Sequence, residues 1–126
     1  MEEPAEDVML FIRDRIDTVP QIEALLLVWE GRPNSFTAAQ VSRRLYVADN
    51  AGARILMHLF HRKLVIPTAD GSAYVYDSTW DPAGEFMERV AATYRRHLIR
   101  VATLIHAKAS PSVLEFARAF GPKKES

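Results

Sequence analysis

The chain has 126 residues, 48% hydrophobic and 25% charged, the size and make-up of one ordinary globular domain, which disfavours disordered, coiled-coil and collagen-like classes. Sixteen basic and sixteen acidic side chains cancel, so a nucleic-acid binder of this composition must segregate its cations, because phosphate neutralisation drives such binding. Cysteine is absent, which excludes disulfides and thiolate metal sites and fits a reducing compartment.

The first residues, 1–7, are acidic and read as a frayed tail. Glu2, Glu3, Glu6 and Asp7 stand where a secretory signal would be positive, and the longest apolar run, 24–29, is far short of the roughly 20 residues that span a bilayer. A cytoplasmic location with no membrane contact is therefore expected. A short helix follows over 8–16, with Val8, Met9, Phe11, Ile12 and Ile16 as its stripe. Thr18 and Gln21 form a capping box for the next helix, Pro20 is tolerated in its first turn, and Ile22, Leu25, Leu26 and Trp29 make its core face before Gly31 stops it.

Thr37 and Gln40 form a second capping box, with Phe36 placed to act as a hydrophobic staple on Val41. They open a helix over 38–45 whose inner face is Ala38, Val41 and Leu45 and whose outer face is Gln40, Arg43 and Arg44. A turn at 46–50 leads to a longer helix over 49–63. Either Ala48 or Asp49 is its expected cap, and Asp49 is favoured by its side chain and by the helix dipole. Ala48, Ala51, Gly52, Ile55, Leu56 and Leu59 fall on one side of this helix; Asn50, Ala53, Arg54, Met57 and His61 fall opposite. A small residue, Ala51 or Gly52, suits a close helix crossing. The β-prone runs 64–66 and 73–76 join across Asp70-Gly71 as a hairpin, which Pro67 keeps at an edge.

Residues 85–106 read as one long helix with a wide apolar arc of Met87, Val90, Ala91, Tyr94, Leu98, Val101, Ala102 and Ile105. Arg89, Arg96 and Arg100 line its opposite side. A last helix is expected from Ser110-Pro111, with Val113, Phe116, Ala117 and Phe120 buried and Gly121-Pro122 ending it. The domain plan is thus a tail at 1–7, a core domain at 8–84, terminal helices at 85–120 and a second tail at 121–126.

The run S-F-T-A-A-Q-V-S-R-R-L-Y-V-A-D-N-A-G-A-R-I-L-M-H-L-F-H-R-K-L-V-I-P-T-A-D-G-S-A-Y-V-Y, residues 35–76, has the order of a winged helix-turn-helix. It resembles small bacterial-type regulators of the MarR/PadR kind. The fold class expected is mainly α with a small β-hairpin wing, followed by a long C-terminal helix. The resemblance implies a DNA-binding transcriptional regulator, homodimeric through 85–120, with helix 49–63 in the major groove of double-stranded DNA. Asn50 and Arg54 would contact bases, and Thr37, Gln40, Arg43 and Arg44 the backbone.

Two features depart from that pattern. The wing tip 68–72 has one acid and no cation, and Met57 and Phe60 lie on or near the outer side of the reading helix. With His61 they suit contact with a protein partner, so the second expectation is a protein-interaction module on the same scaffold. The Arg89, Arg96, Arg100 line could meet nucleic acid or an acidic partner, although a solvated helix face is the commoner meaning. His58 and His61 have a zinc-chelating spacing but no further ligands nearby. No phosphate loop, nucleophile elbow or interpretable carboxylate pair occurs, so no enzyme activity, cofactor or metal is expected. Tyr74, Tyr76, Trp80 and Tyr94 would make an effector ligand plausible only if they surrounded one pocket; core packing is the simpler reading.

Overall fold

The structure, a computed structural model, describes residues 3–108; the expected last helix from Ser110 lies outside the described residues. The fold is mainly helical, with six α-helices and one two-stranded antiparallel hairpin among those residues. α1 (Glu6–Arg15) starts earlier than its apolar stripe does, so Glu6 and Asp7 belong to a helix and not to a tail. Both acids sit in its first turn, where the positive end of the helix dipole favours them. Val8 and Ile12, with Ile16 beyond the helix, are fully buried.

α2 (Val19–Glu30) has the expected capping box: the Gln21 N–H donates to Thr18 Oγ1 at 3.3 Å, and the Thr18 N–H donates to Gln21 Oε1 at 3.2 Å. It is buried at Ile22, Ala24, Leu25, Leu26, Val28 and Trp29, more than the four-residue stripe predicts, because elements cover it on several sides. α3 (Ala38–Leu45), α4 (Ala51–His61) and strand β2 (Tyr74–Tyr76) pack on it directly. The same core takes in α1 and the terminal helices.

β2 pairs with β1 (Val65–Pro67) in the register Val65 with Tyr76, Ile66 with Val75 and Pro67 with Tyr74. Phe36 adds a one-residue bridge on the other side of β2. Its N–H donates to the Tyr74 carbonyl at 2.8 Å and its carbonyl accepts from the Tyr74 N–H at 2.9 Å. The hairpin is thereby tied to the residue just ahead of α3, and the edge that β2 would otherwise expose is partly satisfied.

The expected long helix is two helices, α5 (Glu85–Arg96) and α6 (Leu98–Lys108), separated at His97 with φ −125° and ψ 45°. The bend lays α6 against α1, burying Val101 and Ile105. Leu98, next to the bend, is 47% exposed and Ile99 is 77% exposed. Apolar spacing at three and four residues continues through 94, 98, 101 and 105, and therefore hides the break. Asp81 caps α5 by accepting from the Phe86 and Met87 N–H groups at 3.4 and 2.9 Å. Trp80 stacks on Phe11, ring centres 5.3 Å apart, and Phe86 meets Phe11 edge-on at 5.2 Å, so α1 is clamped to the segment leading into α5.

Candidate nucleic-acid interface

The turn between α3 and α4 is built by one buried serine that sequence reasoning did not single out. Ser42 Oγ accepts the Gly52 N–H at 2.9 Å and donates to the Asp49 carbonyl at 3.0 Å. This corrects the expected cap. Helix α4 begins after Asn50, no side chain caps it locally, and neither Ala48 nor Asp49 serves. The free N–H at the helix start is instead satisfied from α3, which leaves the Asn50 side chain uncommitted. The available signal was a serine in the middle of a short helix, next to Val41 on its inner face, a position where a hydroxyl usually has a backbone partner.

Gly52 is the small residue that the crossing demands. A Cβ there would stand 2.2 Å from the Ala38 carbonyl and 2.4 Å from Ser42 Oγ. Both helices then end alike. After α3, Tyr46 is left-handed at φ 58° and the Val47 N–H reaches back to the Ser42 carbonyl. After α4, Lys63 is left-handed at φ 65° and the Leu64 N–H reaches back to the Leu59 carbonyl. These reach-back bonds close the last carbonyls of each helix and fix where the chain leaves it.

With Gly52, Ile55, Leu56 and Leu59 buried, α4 turns Asn50, Ala53, Arg54, Met57 and His61 to the surface, as the helical spacing predicts. Met57 is 45% and Phe60 38% exposed. Phe60 lies at the seam with the hairpin, its ring centre 6.2 Å from Tyr74 and 5.6 Å from His61. On α3, Gln40, Arg43 and Arg44 are exposed. Thr37 Oγ1 and Gln40 Oε1 are already used as acceptors in their capping box, at 3.1 and 2.8 Å, which leaves the Thr37 hydroxyl proton and the Gln40 amide protons as the donors they can offer outward.

Among the described residues, Arg43, Arg44 and Arg54 have no ion pair or hydrogen bond, whereas Arg13, Arg62, Arg89, Arg95 and Arg100 each meet a carboxylate. The line on the C-terminal helices is thus largely neutralised from within: Arg89 pairs with Asp7 at 2.7 Å and Arg100 with Glu3 at 3.1 Å, while Arg96 has no ion pair among the described residues. The Arg89 guanidinium holds the Asp7 carboxyl below its usual range. The acidic N-terminal residues are the acidic partner that this line finds.

At the hairpin tip Asp70 Oδ1 accepts from the Thr68 hydroxyl, the Ser72 N–H and the Ser72 hydroxyl at 2.8, 3.0 and 2.9 Å. Those donors, the Ser72 N–H first, hold its carboxyl below the usual value. The tip therefore carries a fixed negative charge. His58 is engaged elsewhere, its Nε2 3.0 Å from the Arg15 carbonyl and its Nδ1 3.9 Å from Asp17 Oδ2, so it ties α1 to α4 and does not join His61. No group of three or more metal-ligating side chains occurs among the described residues.

Tyr74, Tyr76, Trp80 and Tyr94 do not surround one pocket. Tyr74 meets Phe60, and Tyr76 and Trp80 join the Phe11 cluster. Tyr94 lines a shallow groove of about 460 Å³ with Leu26, Leu27, Leu45, Tyr46 and flanking charges. Tyr46 is 95% exposed there, a feature the sequence reading passed over as turn. No family model, curated protein or solved structure matches this chain. No helix among the described residues is long and apolar enough to cross a membrane.

Proposed function

We propose that this protein is a duplex-DNA-binding transcriptional regulator of the winged-helix type, resembling the MarR/PadR kind, with α4 as its reading helix and the hairpin as its wing. The observation that carries this reading is that Arg43 and Arg44 on α3 and Arg54 on α4 are exposed and without ion pairs among the described residues, in a chain whose ion pairs neutralise cations elsewhere. Phosphate is the natural counter-charge for such a cluster. Arg43 and Arg44 anchor the backbone, with Gln40 and Thr37 as neutral donors. Asn50 is suited to the N6/N7 edge of adenine and Arg54 to the O6/N7 edge of guanine.

A homodimer through the C-terminal helices spaces two such faces, with Leu98 and Ile99 as the apolar contact left open on α6. The expected activity is occlusion or recruitment at an operator in the cytoplasm, with no catalytic step. The test is a gel-shift titration against salt on genomic fragments. A regulator loses affinity steeply as salt rises, and Arg43→Ala and Arg44→Ala each lower the slope by about one. No shift at low salt overturns the reading.

A second reading, a protein-interaction module on the same scaffold, is favoured by the fixed anion at the hairpin tip and by the exposed Met57, Phe60 and Ile66. Loss of a pulled-down protein partner on Met57→Asp, without any DNA binding by the parent chain, would establish it.

A further inference from the structure

We infer that Ala53 and Met57 read the 5-methyl groups of thymines, so that the apolar line of α4 sets base preference alongside its amide and its guanidinium. The inference rests on the duplex-DNA reading of the same face and deepens it. Ala53 and Met57 are four residues apart and lie on one line of the helix, with Asn50 one turn ahead and Arg54 beside them. All four are exposed. Met57 takes no part in the buried core, which α4 fills with Ile55, Leu56 and Leu59, so packing gives no reason for an apolar side chain there.

Phe60 is different. Its ring leans towards Tyr74 and His61, which assigns it to the seam between α4 and the hairpin.

The occupant is chosen by charge and by chemistry together. An apolar protein surface would leave the cations Arg43, Arg44 and Arg54 facing no counter-charge. The major groove of duplex DNA supplies phosphates for the cations at its walls, acceptors and donors for Asn50 and Arg54 at its floor, and one apolar group, the thymine methyl. An apolar line running beside two polar readers has that methyl as its complement.

The test uses the full chain and duplexes that it retains from a random-sequence pool at low salt, resynthesised with deoxyuridine in place of thymidine. Removing each contacted methyl should weaken wild-type binding by about threefold to fourfold, the effect of one methyl-sized apolar group. Met57→Leu should keep a thymine preference, and Met57→Ala should lose the share of it that Met57 provides. Met57 is exposed, so both variants should keep the wild-type melting temperature. Equal wild-type affinity for both forms of the duplex, with the salt slope intact, overturns the inference and leaves the DNA reading standing. Retention of no duplex by the folded protein overturns the DNA reading and this inference with it.

Discussion

Ser42 and Gly52 lock α3 against α4: the Gly52 N–H donates to the Ser42 hydroxyl at 2.9 Å, and that oxygen lies 2.4 Å from where a Cβ on Gly52 would sit. The same hydroxyl donates to the Asp49 carbonyl, so one side chain of α3 holds both the end of the turn and the start of α4. Gly52→Ala must push Ser42 and the Ala38 carbonyl aside. We expect it to cost about 1–3 kcal/mol or more, and Ser42→Ala about 1–3 kcal/mol for a buried N–H left without a partner. Urea denaturation measures both, and wild-type midpoints in both variants would refute the lock.

The three donors on Asp70 make the hairpin tip acid-sensitive. A carboxyl held below its ordinary 3.8 in the folded chain stabilises the fold above that pH, and the contribution is lost as pH falls through the lowered value. Asp70→Asn should therefore flatten the acid limb of a stability profile. On DNA the same change removes a repelling charge, so affinity should rise modestly, by about twofold to fivefold at low salt. An unchanged affinity would place the tip away from the duplex.

Alkaline pH acts on two buried phenols. Burial first, and then the hydrogen bond from its hydroxyl to Glu23 Oε2 at 2.8 Å, raises the Tyr94 phenol well above the ordinary 10.0, and burial does the same at Tyr76. Both must stay protonated in the folded chain, so their contribution is complete below pH 10 and is lost as pH rises through the raised values. Phenolate absorbance should show these two phenols ionising above the ordinary tyrosine range. Tyr94→Phe, which removes the bond to Glu23, should cost about 1 kcal/mol at neutral pH.

The proposed dimer makes its own prediction. Ile99→Glu places a charge where an apolar contact is required and should weaken self-association by about tenfold to a hundredfold in sedimentation equilibrium. Val101 and Ile105 face inward on the same helix, so the fold should survive. A wild-type chain that sediments as a monomer at all concentrations would end the dimer proposal.

Local punctuation and helical spacing carried much of the fold. The boxes at Thr18/Gln21 and Thr37/Gln40 close as their residue types require, and the outward residues of α4 follow from 100° steps alone. Where the reading failed, a distant partner decided. The start of α4 was misassigned because its N–H is satisfied by Ser42, ten residues back and on another helix. Likewise, Arg89 and Arg100 look like free cations in the chain, yet Asp7 and Glu3 meet them from more than eighty residues away. The candidate site divides in the same way: the outward placement of Arg54 and Asn50 was legible, but that Arg43, Arg44 and Arg54 lack ion pairs became visible only once every other pairing was known.

By itself, then, the sequence determined the capping boxes of α2 and α3, the hairpin and which side of α4 turns outward, because these depend on neighbours within a few residues. Tertiary structure alone decided the bend at His97, the bridge from Phe36 to Tyr74, and which arginines keep their charge unopposed. Those depend on what the folded chain brings within a few ångströms, and a periodic pattern holds no record of it.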